Sequence, residues 1–325
     1  MRIPPKYSLT PEIIELLGKI EANRQYLKSL DISPIINQKI QRVSLLKSSL
    51  FSAKIEGNPL SLDDYKQSPD KVKKLEILNI LKSINYISKQ KIKNIDISLI
   101  KTIHKLVMSD VHYQAGKFRR EMSAIFNQAG VAVYVCPPPK QIIQLINQLT
   151  SYVNSDTEKF PLIKAFIGHL LFEKIHPFLD GNGRVGRLMI YLICINDNYQ
   201  FYPNISFEEY LNEYKNDYYY YLDIGLANTN DYLLFMLKAF YSQTEKLKKE
   251  IEKEINKKTQ IFLPPRQEEI LQIIKDHRMI SLDFIKRRFL KVPGRTLRYD
   301  LKKLCDKDLV MKIGQTRGSY YKIFP

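Results

Sequence analysis

The chain has 325 residues, 44% of them apolar, which is ample for more than one core and too many for a disordered protein. Its 51 basic residues against 34 acidic ones give a net charge of +17, which favours polyanionic partners, although lysine-rich codon usage alone produces the same balance. Three scattered cysteines, Cys136, Cys194 and Cys305, exclude a disulfide framework and a cysteine zinc site.

The N-terminal MRIPPKYS has no apolar run resembling a signal peptide, and no apolar stretch approaches the roughly 20 residues that span a bilayer, so a cytoplasmic chain without membrane partners is expected. Helical spacing of apolar residues predicts helices over 12–30, 34–55, 71–90 and 98–108, with hydroxyl-proline start signals at Thr10-Pro11 and Ser33-Pro34. Ala124-Ile-Phe and Val131-Ala-Val-Tyr-Val135 then read as a β-hairpin closed by three prolines. Helices over 140–153, 161–175 and 184–196 follow.

Four regions are expected: an N-terminal helical region over 1–95, a core over 96–241, a charged helical linker over 242–262 and a compact unit over 263–325. The last carries 15 Lys+Arg against 7 Asp+Glu. Three helices near 266–277, 281–290 and 295–306, followed by strands at 309–313 and 319–323, make the winged-helix arrangement. Arg295, Arg298, Lys302 and Lys303 on its third helix point to DNA; a protein-docking module is the competing reading.

The chemistry concentrates in His176-Pro-Phe-Leu-Asp-Gly-Asn-Gly-Arg-Val-Gly-Arg187. It contains G-x-G-x-x-G, but the preceding PLIKAFIGHLLFEKI is a helical pattern, whereas a dinucleotide site needs a strand there. What remains is a glycine-rich loop opening a helix, an arrangement that presents N–H groups to an anion. Gly181 and Gly183 permit close approach, Asn182 adds a donor, and Arg184 and Arg187 share one face to grip phosphate oxygens. Asp180 suits a Mg²⁺ that bridges phosphates, and His176 suits a base for an incoming hydroxyl. The residues thus suggest nucleotidyl or phosphoryl transfer from a Mg²⁺–nucleoside triphosphate.

This segment resembles the Fic signature H-x-F-x-D/E-G-N-G-R-x-x-R at every defining position. Gly116-Lys-Phe-Arg119 is similar to the family's G-x-[FY]-R, and Tyr134-Val-Cys-Pro-Pro138 to the end of its flap hairpin; the likeness spans roughly residues 40–245. The resemblance implies a mainly α fold, with a Fic helical core and a small β-hairpin flap, joined here to the C-terminal winged helix-turn-helix. It further implies transfer of AMP from ATP to a Ser, Thr or Tyr hydroxyl of a protein. His176 is then the base, Asp180 the Mg²⁺ ligand, and Gly181, Asn182 and Gly183 the anion hole. Arg184 and Arg187 hold the β- and γ-phosphates, and Phe178 anchors the loop. Val131, Val133, Tyr134 and Val135 form the target-docking flap, and Tyr218 or Tyr219 stacks on adenine.

Ser52-Ala-Lys-Ile-Glu56-Gly57 is, taken alone, an ordinary helix end with an exposed glutamate. It also resembles the family's inhibitory motif, in which Glu56 would occupy Arg187 and disturb the γ-phosphate. A mainly de-AMPylating enzyme, and a DNA-binding regulator with a Fic sensor core, stand as alternatives. Expected partners are a hydroxyl-bearing protein, the chain itself as a target, DNA and a second copy in a homodimer. His104, His112, His169 and His277 read as structural or exposed.

Overall fold

Start signals written in the sequence place the first helices. Thr10 accepts from the Ile13 N–H ahead of α1 (Pro11–Ser29), and α2 (Pro34–Ile55) also begins at a proline. Ser61 and Asp64 form a capping box on α3 (Leu62–Gln67). Asp70 and Asp96 cap α4 (Lys71–Lys89) and α5 (Ile97–Val107). These coordinates come from a computed structural model that describes residues 1–90, 92–126, 132–201, 204–259, 263–314 and 318–324.

β1 (Ala124–Phe126) and β2 (Ala132–Val135) pair antiparallel, Ala124 opposite Val135 and Ile125 opposite Tyr134. They lead into α6 (Pro139–Val153), α7 (Pro161–Ile175) and α8 (Asn182–Asn196). Every residue of α7 from Leu162 to Ile175 is buried, as an apolar circumference requires. It packs along α8, while α6 covers α7, and α4 and α5 cover α8. α8 begins at Asn182 rather than the expected 184, because Gly181 takes the left-handed conformation at its cap. The stretch 210–222 is broken at Tyr214 into α9 (Phe207–Glu213) and α10 (Lys215–Ile224). α11 (Thr229–Thr259) is one long helix, so the expected linker over 242–262 is its second half as far as 259.

Two compact units result, Met1–Asp31 with Ile35–Ile251, and Glu252–Pro325 with Ile32–Pro34. The second holds α12 (Pro265–His277), β3 (Met279–Ser281), α13 (Leu282–Arg288), α14 (Gly294–Asp306), β4 (Val310–Ile313) and β5 (Tyr320–Ile323). Its sheet runs β3-β5-β4, wholly antiparallel. Ile270, Ile274, Ile285, Leu297, Leu301 and Leu304 form the core beneath it. The protein is mainly helical. Among the described residues, no helix is long and apolar enough to cross a membrane.

Candidate active site

His176 ends α7 in the left-handed region, φ 48° and ψ 60°, which costs an L side chain about 1–2 kcal/mol. Arg119 offsets that cost. It is buried, and its Nε donates to the His176 carbonyl at 2.7 Å while its other nitrogens donate to the carbonyls of Glu121, Pro137 and Ile175. Burial holds the His176 imidazole below the ordinary histidine pKa, so it is neutral at physiological pH. Nδ1 lies 3.3 Å from the Glu173 carbonyl and keeps the ring proton, leaving Nε2 with a lone pair.

The loop that follows is built from its own groups and from α5. Gly181 sits at φ 80°, and a Cβ there would stand 2.6 Å from Met108 Sδ, so both conformation and space demand glycine. The Asn182 amide closes the loop on itself, accepting from the Phe178 N–H at 2.9 Å and donating to the Phe178 carbonyl at 2.8 Å. Its side chain is thereby spent, and its offering to an anion is the backbone N–H at the start of α8. Phe178 is fully buried and stacks on His104 at 3.6 Å. The Gly116 N–H donates to His104 Nδ1 at 2.8 Å, so Nε2 carries the proton and donates to the Asp180 carbonyl at 2.9 Å. Burial pushes the His104 pKa down to about 4, which keeps this strut neutral.

The Asp180 carboxylate is half exposed. It accepts from the Gly181 N–H at 2.6 Å and from Arg184 at 3.0 Å. Arg184 is itself buried, and its Nε has no hydrogen-bond partner among the described residues. An orphaned cationic donor beside a helix start is a strong attractor for an anion. Arg187, 2% exposed, is engaged by α2. Its Nε donates to Ser52 Oγ at 3.0 Å, and its NH2 to the Ser52 carbonyl at 2.8 Å and to Glu56 Oε1 at 3.0 Å. Burial alone would lower the Arg187 pKa; Glu56, together with Tyr218, Tyr219 and Glu173, more than reverses this and raises it. Glu56 also lies directly over Gly183, where a Cβ would overlap Oε1. Gly57 takes φ 93° just after α2, so the chain turns away once Glu56 has been delivered.

Residues 94–194 match the model of the Fic/DOC family. The chain carries a Fic domain. It is 26% identical over 231 residues to protein adenylyltransferase Fic of Drosophila yakuba, covering 66% of this chain and 43% of that protein. The corresponding Nematostella vectensis protein is 26% identical over 219 residues, covering 61% and 50%. The chain therefore spans at most about half the length of these curated relatives. Two solved structures share its fold. A Fic family protein from Desulfovibrio desulfuricans G20 aligns with a TM-score of 0.69 at 20% identity, covering 98% of both chains. Fic-1 from C. elegans aligns with a TM-score of 0.64 at 17% identity, covering 74% and 73%.

In the first unit, His176, Gly183, Arg187 and Glu56 open on one cleft of about 790 Å³, within the range of small-molecule sites. Tyr219, Glu173 and Lys174 line it as well. The hairpin stands at its edge: Val133 and Val135 are exposed, and Tyr134 turns inward so that Lys174 Nζ lies 4.2 Å from its ring centre. Val131 falls outside the described residues. The two tyrosines divide. Tyr218 is 1% exposed and donates its hydroxyl to His169 Nε2 at 3.0 Å, which spends it in the core. Tyr219 is the one with an exposed ring, and its hydroxyl reaches the Ile55 carbonyl at 3.3 Å. Of the two, Tyr219 is the one whose ring is open to the cleft.

Sequence reasoning missed His104 and Glu173 as parts of the site. His104 lies 76 residues from the carbonyl it holds, and no local spacing marks such a pair. The signal available was Gly116, whose φ of 79° and close packing on Lys105 fix where its N–H points.

Proposed function

We propose that this chain transfers AMP from ATP to a hydroxyl side chain of a protein and that Glu56 restrains the reaction. The observation that carries the reading is one cleft on which a neutral imidazole, Gly183 at the start of α8 and the buried Arg187 open, with the buried Arg184 next to Gly183 in the chain. His176 Nε2 takes the proton of the target hydroxyl as its oxygen bonds to the α-phosphorus; the bond to the bridging oxygen breaks and pyrophosphate leaves. The N–H groups of Asn182 and Gly183, with Arg184, stabilise charge on the phosphates. Arg187 grips the terminal phosphate once Glu56 has withdrawn. Val133 and Val135 on the open edge of β2 suit an extended target segment added by main-chain hydrogen bonds.

A Mg²⁺ ion fits this site. Asp180 is a half-exposed carboxylate beside the phosphate seat, and no cluster of three or more metal-ligating side chains exists among the described residues. That donor set matches an ion held by one carboxylate and the substrate's own phosphates. Bound there, it would neutralise charge on the departing pyrophosphate.

The reading is tested with ATP labelled at the α- or the γ-phosphate. Label from the α-position alone should enter protein, and His176→Ala should abolish it while ATP still binds. Transfer by the variant at the parent rate would refute the assignment.

For the second unit we infer a winged helix-turn-helix that binds duplex DNA. α14 turns Leu297, Leu301 and Leu304 inward and leaves Arg295, Arg298, Tyr299, Lys302 and Lys303 exposed. Affinity should fall steeply with salt, and Arg295→Glu with Arg298→Glu should weaken it. Absence of binding to any duplex at low salt would favour a protein partner.

A further inference from the structure

Glu173 is an acid in the wrong place for an ordinary carboxylate. It is 5% exposed on α7, one turn before His176, and its Oε1 has no hydrogen-bond partner among the described residues. It lies so close against α8 that any Cβ at Gly186 would overlap Oε1. His169 Nε2 lies 3.9 Å from Oε1 and already accepts from Tyr218. Arg187 is the neighbouring cation on α8, but the hydrogen bonds of its Nε and NH2 go to Ser52 and Glu56 on α2. Two carboxyls thus flank one guanidinium in the same cleft, one at the surface and paired, the other inside and unpaired.

We infer that Glu173 is a second, proton-operated counter-ion for Arg187: neutral, it leaves the guanidinium to Glu56 or to a phosphate, and ionised, it neutralises the guanidinium from behind and weakens nucleotide binding. The inference rests on Arg187 as the terminal phosphate's grip. Burial, with Glu56 adding to it, pushes the Glu173 pKa up to about 8 against the pull of Arg187 and Lys174. The charge change therefore falls in a range the protein meets. Across the water-poor interior, such a charge acts on Arg187 without touching it. The other groups facing Glu173 are His169 on α7, Tyr218 and Tyr219 on α10, Tyr232 on α11 and Cys136 after β2. Burial holds His169 neutral and raises the tyrosines and the thiol, whereas it lowers the Lys174 pKa, so Lys174 is the group to control for.

The test uses the full chain with Glu56→Gly to clear Arg187 and His176→Ala to stop turnover, and measures ATP affinity by calorimetry from pH 6 to 9.5, because losing Glu56 removes one of the charges that raise the Glu173 pKa. Affinity should fall about tenfold or more over this range, the loss expected for one interaction with a charged group. With Glu173→Gln or Glu173→Met added, it should stay level. An equal fall in those variants would assign the titration to Lys174 or to the nucleotide and overturn the inference, as would a flat profile in the parent. Adding Arg187→Ala separates the two readings. Unchanged affinity at pH 6 would remove the phosphate grip itself, and this inference with it.

Discussion

On one side of the loop at residues 176–181, His104 and Arg119 hold the backbone carbonyls of Asp180 and His176, and Met108 packs against Gly181. On the other, Ser52 and Glu56 hold Arg187, a side chain that an anion also needs. Both regions restrain the same catalytic segment, yet their consequences are opposite. Removing a support leaves carbonyls and N–H groups unsatisfied, so the loop loses its shape. Removing a competitor leaves a donor free for substrate. Buried contacts around a site should therefore be sorted by whether the ligand wants the same atom.

The largest effect should come from the support side. Arg119→Met deletes four hydrogen bonds to carbonyls, including the one that steadies His176 in its left-handed conformation. Each bond from a charged donor contributes about 1.5–3 kcal/mol, and their loss leaves buried acceptors behind. AMP transfer should disappear and the urea midpoint of the first unit should drop sharply. A variant that keeps both would place Arg119 outside the support.

The competitor side should respond in the other direction. Glu56→Gly frees one charge-assisted contact of Arg187, and transfer should rise about ten- to a hundredfold. In an Arg187→Ala background the same change should do nothing, because no grip remains to be released. A rise that persists without Arg187 would show that Glu56 acts elsewhere, for instance on the space above Gly183.

The competitor was legible in the sequence only through likeness, since Ser52 and Arg187 are 135 residues apart. The loop itself was legible because its groups are contiguous. Its glycines, Asp180 and the two arginines read directly as an anion seat; in the structure Arg184 pairs with Asp180, while Arg187 is held by Ser52 and Glu56. The supports were not, since a histidine on an apolar helix face carries no mark of what it touches. Among the elements, helices with proline or hydroxyl starts fell within one or two residues of their expected bounds. The break at Tyr214 and the three-residue β3 carry no such signal, because tertiary packing decides them.

A smaller effect should follow from His104→Phe. The ring can still stack on Phe178, but the Gly116 N–H and the Asp180 carbonyl lose their partner, at about 1–3 kcal/mol. The pH dependence has a definite sign. His104 titrates near 4 in the folded chain against an ordinary 6.5, so the unfolded chain takes the proton first. Its contribution is complete above about pH 6.5 and is lost as pH falls towards 4. Denaturation midpoints of parent and variant should therefore converge on acidification. A gap that widens instead would mean that His104 is stabilising in its charged form.

The smallest effect on stability, and the sharpest probe of the comparison, belongs to Gly183→Ala. Gly183 has ordinary helical geometry, so alanine there gains helix propensity of up to about 1 kcal/mol. The added methyl would overlap Glu56 Oε1 and stand 3.2 Å from Arg187 NH1, in the space that carboxylate and phosphate share. Glu56 is partly exposed and can swing out at little cost, so the midpoint should move by no more than about 1 kcal/mol. Displacing Glu56 in this way should not activate the enzyme, because the methyl bars the phosphate from the same seat. Transfer should stay at or below the parent level, and adding Glu56→Gly should recover little of it. Activation by Gly183→Ala alone, comparable to that of Glu56→Gly, would show that the carboxylate and the phosphate occupy different places, and Glu56 would then restrain the enzyme by charge and not by position.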